Sequence, residues 1–148
     1  MDIQGINRSD PEKVFVSCRN VTGATVSAGV PVEMEVATIT DGNSVTACRS
    51  NGLCSLFVGV TDASMADDAY GLVQVYGFRT SAWHTVTAKS AQVTPGQFLI
   101  AGSTGGAATS FVDATRSAAT TSGWNQVCLA ETLSASGLQE ASIFIKNM

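Results

Sequence analysis

Residues 56–77 read LFVGVTDASMADDAYGLVQVYG, and this stretch decides the fold class. Residues 56–60 form an apolar run of strand length, and residues 61–69 are small, polar and acidic. Residues 71–77 then alternate apolar and polar side chains between two glycines, which is the period of a half-buried strand. The stretch therefore predicts a strand, a polar loop and a second strand, as in a soluble all-β domain.

The rest of the chain repeats this pattern of short strands and turns. Apolar or alternating runs occur at 13–18, 30–38, 45–48, 83–89, 97–100, 111–114, 126–132 and 141–146, and no segment carries a sustained helical period. Residues 1–12 are polar and pack nothing obvious, which is typical of an extended arm. We predict an all-β fold in which residues 13–148 form a single compact antiparallel β-barrel or sandwich, of jelly-roll or β-tulip type, behind an extended N-terminal arm of residues 1–12.

Two parts of the chain are weakly similar to each other. The turn and strand at 26–32 match those at 93–99, and the runs at 57–60 and 71–75 match those at 127–130 and 137–145. Both copies predict a turn and strand, a long loop, a strand, a loop and a strand. This pattern fits an ancient duplication, and it equally fits any antiparallel barrel built from short strands.

The composition excludes some classes of partner. The chain has 148 residues and a formal net charge of −4, and its eight Lys and Arg are scattered, so we expect no nucleic-acid partner. The N-terminus lacks a basic segment followed by an apolar one, and no run of about 18 apolar residues occurs. We therefore expect no membrane partner and a chain made in a cytoplasm or built into a particle assembled there.

The histidine and cysteine residues do not predict a catalytic site. His84, the single histidine, has no Gly-x-Ser-x-Gly nucleophile elsewhere in the chain, so we interpret it as a surface or interface side chain. Cys48 and Cys54 bracket a predicted hairpin turn, where they would face each other closely enough for a disulfide. Their spacing is not that of a zinc site, so we expect free or bridged thiols.

Three carboxylates lie in the central loop. Asp62, Asp67 and Asp68 lack the alternating spacing of a calcium loop, so an exposed acidic loop tip is the better interpretation. Since no phosphate-binding loop, dinucleotide motif or carboxylate pair is present either, we predict no catalytic, cofactor-binding or metal-binding residues. The chain is not expected to be an enzyme or to need a cofactor.

The central region resembles a known family. Residues 70–78, YGLVQVYGF, are similar to a segment with the pattern Gly-hydrophobic-Val-Gln-Val-aromatic-Gly in head proteins of tailed bacteriophages. Residues 57–60, FVGV, resemble the strand before that segment, and residues 93–99, VTPGQFL, resemble the turn that often follows it. Together these motifs resemble the small capsid decoration, or cement, proteins, over residues 56–101.

The resemblance implies a mechanical function on a virion. Such proteins are commonly trimers that bind the outside of an expanded capsid, so it implies a homotrimer that joins major capsid protein subunits through many small contacts. Residues 1–12 would then order on the capsid or clasp a neighbour, and exposed aromatic side chains would anchor contacts. The candidate contact residues are Ile3, Ile6, Arg8, Lys13, Phe78, Trp83 and Trp124, although Trp124 and also Tyr76 could be ordinary core residues.

Two other functions remain open at this point. A carbohydrate-binding or host-attachment β-sandwich module on a virion would use Trp83 and Trp124 as platforms for sugar rings, and glycan-dependent tryptophan fluorescence would distinguish it. A small β-barrel hydrolase would need His84 and an aspartate as its catalytic pair, and an activity lost in His84→Ala would distinguish that.

Overall fold

A computed structural model describes residues 12–37, 41–48, 56–86, 98–102, 110–113, 128–130 and 137–146. All regular structure in these ranges is β-strand, which confirms the predicted all-β class. No helix in the described ranges is long and apolar enough to cross a membrane. Residues 1–11, which make up nearly all of the predicted N-terminal arm, lie outside the described residues. The described ranges contain nine strands, namely β1 (Val14–Asn20), β2 (Pro31–Met34), β3 (Ser44–Ala47), β4 (Phe57–Thr61), β5 (Tyr70–Val86), β6 (Phe98–Gly102), β7 (Ser110–Asp113), β8 (Cys128–Ala130) and β9 (Gly137–Lys146).

The first five strands close into a barrel, which we call ring 1. Its order is β1-β3-β2-β4-β5, and β5 returns to pair with β1. The pair β1–β3 is parallel and the other pairs are antiparallel. The prediction of an antiparallel barrel is therefore wrong at this pair, because a closed ring with an odd number of strands cannot reverse direction at every step. The sandwich and jelly-roll forms of the prediction are not confirmed.

The last strands form a second closed arrangement, which we call ring 2. Its order is β5-β7-β6-β8-β9, and β9 returns to pair with β5. The pair β5–β7 is parallel and the other pairs are antiparallel. When the strands of each ring are numbered 1 to 5 in chain order, both rings have the strand order 1-3-2-4-5, and strand 5 pairs with strand 1. The two rings thus have the same connectivity, as a duplication predicts, and common descent remains a prediction.

The long strand β5 belongs to both rings. Tyr76 is opposite Val14 of β1 and also opposite Lys146 of β9, so the strand passes from ring 1 to ring 2 at this point. The next residue, Gly77, has φ of 100°, a backbone conformation that residues with a side chain rarely adopt. A Cβ atom on Gly77 would overlap the backbone carbonyl of Glu12. Glycine is therefore required where the strand passes between the rings.

A buried guanidinium joins the two halves of β5. Arg79 is only 7% exposed. Its Nη1 donates hydrogen bonds to Asp62 Oδ1 at 3.3 Å and to Gln74 Oε1 at 3.5 Å, and its Nη2 donates to the Asp62 carbonyl at 3.3 Å. Gln74 Nε2 in turn donates to the carbonyls of Tyr76 and Phe78, both at 3.2 Å. This network fixes the second half of β5 against ring 1, because buried polar groups that are fully bonded hold one geometry.

The core of ring 1 is apolar and contains small side chains. Branched residues dominate it because they pack well on a pleated surface. Gly59 of β4 has a close packing role, since a Cβ there would overlap the carbonyl of Gln74 in β5. The principal buried side chains are Cys18, Val26, Val32, Val45, Met65 and Val73.

Two loops close one end of ring 1, which we call the capped end. Val26 and Met65 exchange two backbone hydrogen bonds of 2.9 and 2.8 Å, which join the β1–β2 loop to the β4–β5 loop. The buried Thr61 hydroxyl donates to the Ser27 carbonyl at 2.7 Å and accepts from the Val30 backbone N–H at 3.1 Å. The loops thus satisfy their own backbone groups while they cover the core.

Asn20, the last residue of β1, connects these loops through its side chain. The residue is 1% exposed. Its Nδ2 donates to the carbonyls of Ala24, Met65 and Ala66 at 2.7, 3.0 and 3.1 Å, and its Oδ1 accepts from the Thr22 backbone N–H at 3.0 Å. One amide therefore holds both loops of the capped end.

Candidate interaction surface

Exposed apolar side chains lie on the outer side of ring 1, where β1 pairs with β5. Phe15 is 37% exposed, Tyr70 is 66% exposed and Leu72 is 49% exposed. Leu72 is opposite Ser17, and Tyr70 is opposite Arg19, in the antiparallel register. Because side chains alternate across a strand, these residues face away from the ring 1 core. We call Phe15, Tyr70 and Leu72 the outer face.

The outer face has the composition of a contact surface. The solvated side of an antiparallel sheet is usually polar, so large apolar side chains grouped there are unusual. At its edge, Arg19 Nη2 lies 2.9 Å from Asp68 Oδ1, and both side chains are partly exposed. An apolar centre beside a charged edge is typical of surfaces that bind another protein.

The acidic loop of residues 62–69 is tied to ring 1 at several points. Asp67 Oδ1 accepts from the Gly23 backbone N–H at 2.9 Å, and Asp68 binds Arg19. Asp62 is an acceptor for Arg79. The three aspartates are exposed, as expected of an acidic loop tip. No group of three possible metal ligands occurs among the side chains that the structure describes.

A cleft of about 540 Å³ opens at the end of ring 1 opposite the capped end. At this open end β1, β3 and β4 begin and β2 ends. Val16, Met34 and Leu56 line the cleft and are 37%, 38% and 44% exposed. None of the described side chains that line it is charged; the lining consists of Val16, Ser17, Cys18, Met34, Gly42, Asn43, Ser44, Val45, Leu56, Phe57, Val58 and Val75.

The structure locates only some of the predicted contact residues. Lys13 is exposed and immediately precedes β1. Phe78 is half-buried on β5, opposite Phe144 of β9. The backbone of Trp83 is opposite Glu140, and its side chain lies outside the described residues. The predicted contacts Ile3, Ile6, Arg8 and Trp124 also lie outside them.

Tyr76 is half-buried and packs against another aromatic ring. Its ring meets that of Phe144 edge to face, with centroids 5.3 Å apart and an interplanar angle of 80°. This geometry is favourable for aromatic pairs. The contact joins β5 to β9 at the point where the rings meet. Tyr76, for which the sequence allowed either a core or a contact role, is thus half-buried against Phe144.

Cys48 is disulfide-bonded. Its predicted partner, Cys54, lies outside the described residues, so the pairing of Cys48 with Cys54 remains a prediction. Cys48 is 2% exposed and follows β3 directly. The disulfide bond of Cys48 therefore holds the end of β3 against the core.

Cys18 is a free cysteine with a buried thiol, and we expect it to react slowly. Burial raises the pKa of the Cys18 thiol above its ordinary value, so less of the reactive thiolate forms at neutral pH. We expect iodoacetamide to label Cys18 at pH 7 at least about tenfold more slowly in the folded chain than in urea. Peptide mass spectrometry at Cys18 measures this rate, and equal rates in the two states would contradict the buried position.

The sequence contained a signal for the outer face that periodicity alone does not reveal. Phe15 and Val16 are adjacent, as are Leu72 and Val73. Two successive apolar residues in a strand place one on each side of the sheet. Such pairs on two neighbouring strands therefore indicate a sheet that is apolar on both sides, here with the core on one side and the outer face on the other.

Comparison with known proteins finds a solved structure with a similar fold. No family model matches the chain, and no curated protein matches it. The structure is similar to that of the head fiber gp8.5 N base in bacteriophage phi29, with a TM-score of 0.54 and 13% sequence identity, over 92% of this chain and 96% of that chain. At this identity the likeness concerns the fold, and it extends over nearly the whole of both chains.

Proposed function

We propose that this chain is a structural virion protein that binds the outside of a phage capsid as a decoration protein and stabilises junctions between major capsid protein subunits. The observation that carries the proposal is the fold likeness to a phage head fiber base over 92% of the chain. The motifs at 57–60, 70–78 and 93–99 support it independently, since they resemble those of capsid decoration proteins. In this proposal the chain acts by binding and not as an enzyme.

The outer face supplies the contact in this proposal. Fully burying a side chain such as Phe or Leu contributes roughly 1.5–3 kcal/mol relative to leaving it exposed. Phe15, Tyr70 and Leu72 are exposed together, so one partner surface can cover all three. The positive charges of Arg8 and Lys13 would also meet carboxylates of the major capsid protein.

A homotrimer would increase the affinity for the capsid, because it presents three copies of the outer face. Three copies that engage one capsid junction bind far more tightly than a single copy, because each later contact forms within an already bound assembly. Contacts of modest strength then suffice to hold the shell against internal pressure. We propose that the chain is a homotrimer on the capsid surface for this reason.

Sedimentation tests the proposal. Purified chain is centrifuged alone and with empty expanded heads of the phage that encodes it. A trimer that sediments with heads and saturates at a symmetric stoichiometry is the expected result. A chain that stays in the supernatant at all concentrations would overturn the proposal, and a glycan array would then test the host-attachment alternative.

A substitution on the outer face should weaken binding to heads. In Leu72→Asp a charge replaces a side chain that is 49% exposed, so we expect a normal fold and about tenfold weaker binding, which corresponds to about 1.4 kcal/mol. Val36→Asp is the matched control, because Val36 is 59% exposed and lies away from the outer face, after β2. Equal binding by both variants would mean that another surface contacts the capsid.

A further inference from the structure

We infer that the guanidinium of Arg79 fixes the bend of β5 at a β-bulge and so holds ring 2 in one orientation relative to ring 1. The inference goes beyond the proposed function, because it concerns how the two rings move relative to each other in the free chain. Without the contacts of Arg79, we expect the bulge to act as a hinge between the rings.

The bulge lies in β5 directly after Arg79. Between Arg79 and Ala82 the register against β9 shifts, so that two residues of β5 lie opposite one residue of β9. Such a bulge bends the strand and interrupts the ladder locally. It divides the β5–β9 ladder into a part at 76–79, where the rings meet, and a part at 82–86 beyond the bulge. The strand can change its direction at this point unless other contacts hold it.

The side chain of Arg79 joins the bulge to ring 1. Its Nε donates a hydrogen bond to the carbonyl of Ser81, inside the bulge, at 2.7 Å. Its Nη1 donates to Asp62 Oδ1 at 3.3 Å and to Gln74 Oε1 at 3.5 Å, and its Nη2 donates to the Asp62 carbonyl at 3.3 Å. The guanidinium is planar, and its donors keep a fixed fork geometry. The positions of these acceptors therefore set the angle between the bulge and ring 1.

The acceptors in ring 1 are themselves held in place. Asp62 follows β4 directly, and its backbone N–H donates to the carbonyl of Leu72 in β5 at 2.9 Å. Gln74 is 1% exposed and lies opposite Val60 of β4. The guanidinium thus binds to a part of ring 1 in which β4 and β5 are already paired. A change in the bend at the bulge would break at least one of its hydrogen bonds.

Burial favours the one orientation in which these bonds form. The Arg79 side chain is 8% exposed, whereas the Asp62 side chain is 48% exposed. A buried charge without its acceptors is strongly unfavourable, because little water reaches it in their place. The folded chain therefore favours the bend that keeps Ser81, Asp62 and Gln74 within reach of the guanidinium.

Hydrogen exchange of full-length chains, followed by mass spectrometry of peptides, tests the inference. Arg79→Met keeps an apolar side chain and removes every donor. We expect amides beyond the bulge, at 82–86 and 137–141, to exchange at least about tenfold faster in this variant than in wild type, because they no longer open only with the whole fold. Amides of ring 1 at 57–61 should change by less than about twofold, because their pairing does not involve Arg79.

Arg19→Met is the matched control, because it removes the same charge from a partly exposed pair with Asp68. It should leave the exchange rates on both sides of the bulge as in wild type. Asp62→Ala is the milder variant, to be used if Arg79→Met does not fold. It removes the carboxylate acceptor and keeps the carbonyl, so we expect exchange about threefold faster beyond the bulge.

Two results would overturn the inference. Equal acceleration in ring 1 and beyond the bulge would mean that Arg79 contributes only to global stability. Wild-type rates beyond the bulge in Arg79→Met would mean that other contacts fix the bend. Because no phage heads are used, failure here is distinct from failure of the decoration proposal.

Discussion

Gly77→Ala is expected to destabilise the folded chain strongly in urea unfolding. The residue has φ of 100°, where an alanine is strained, and the new Cβ would overlap the Glu12 carbonyl. Strained backbone and overpacking each cost roughly 1–3 kcal/mol, and the neighbour here is backbone that cannot rotate away. A total of about 2–6 kcal/mol is a large part of the roughly 5–15 kcal/mol that stabilises a typical domain.

Gly23→Ala is the control, because it separates the cost of backbone strain from the cost of steric overlap. Gly23 has φ of 81°, and a Cβ there meets no atom within 4 Å, so Gly23→Ala keeps the backbone strain without the clash. We expect Gly23→Ala to lose only about 1–2 kcal/mol in urea unfolding. If Gly77→Ala were no less stable than Gly23→Ala, the close passage of Glu12 across β5 would be wrong.

The local pattern of the sequence predicted strands β4 and β5, but it did not predict that β5 continues from ring 1 into ring 2. The stretch at 56–77 predicted a strand, an acidic loop and a strand, and the structure has β4, residues 62–69 and the start of β5 there. The sequence pattern predicts that a strand ends at Gly77, whereas β5 continues to Val86. A glycine that breaks a strand and a glycine that lets a strand bend past another backbone look the same in a sequence.

The closure of the rings depends on strand order, which local sequence does not contain. An odd number of strands requires at least one parallel pair in each ring, and the strand order places it at β1–β3 and at β5–β7. The repeated motifs at 26–32 and 93–99 did indicate a repeat, and they lead into β2 and β6, which hold the same place in ring 1 and ring 2.

The contact residues were predicted from residue type, and their role in contacts remains a prediction. Residue type selected Phe78, which is half-buried, and did not select Phe15, Tyr70 and Leu72, which are exposed. Whether an aromatic side chain is buried or exposed depends on what covers its side of the sheet. Here Phe15, Tyr70 and Leu72 are exposed on the outer side of ring 1, and this could not be deduced before the strand pairing was known.

Asn20→Asp should lower the stability of the chain by about 4 kcal/mol or more at pH 7. Asn20 is 1% exposed, and its Nδ2 faces the carbonyls of Ala24, Met65 and Ala66. A carboxylate is nearly the same size but only accepts hydrogen bonds, so it would face three acceptors with a buried negative charge. Asn43→Asp is the matched control, because Asn43 is exposed in the turn before β3.

The pH dependence of this loss distinguishes charge from shape. Burial among carbonyl oxygens raises the folded-state pKa of the introduced carboxyl above its unfolded value of about 3.9. A group with a raised folded-state pKa keeps its stability below the unfolded pKa and loses it as the pH rises. The gap in urea midpoint between Asn20→Asp and wild type should therefore narrow as the pH falls from 7 toward 4. Midpoints that match Asn43→Asp at every pH would show that the Val26–Met65 backbone bonds hold the capped end without Asn20.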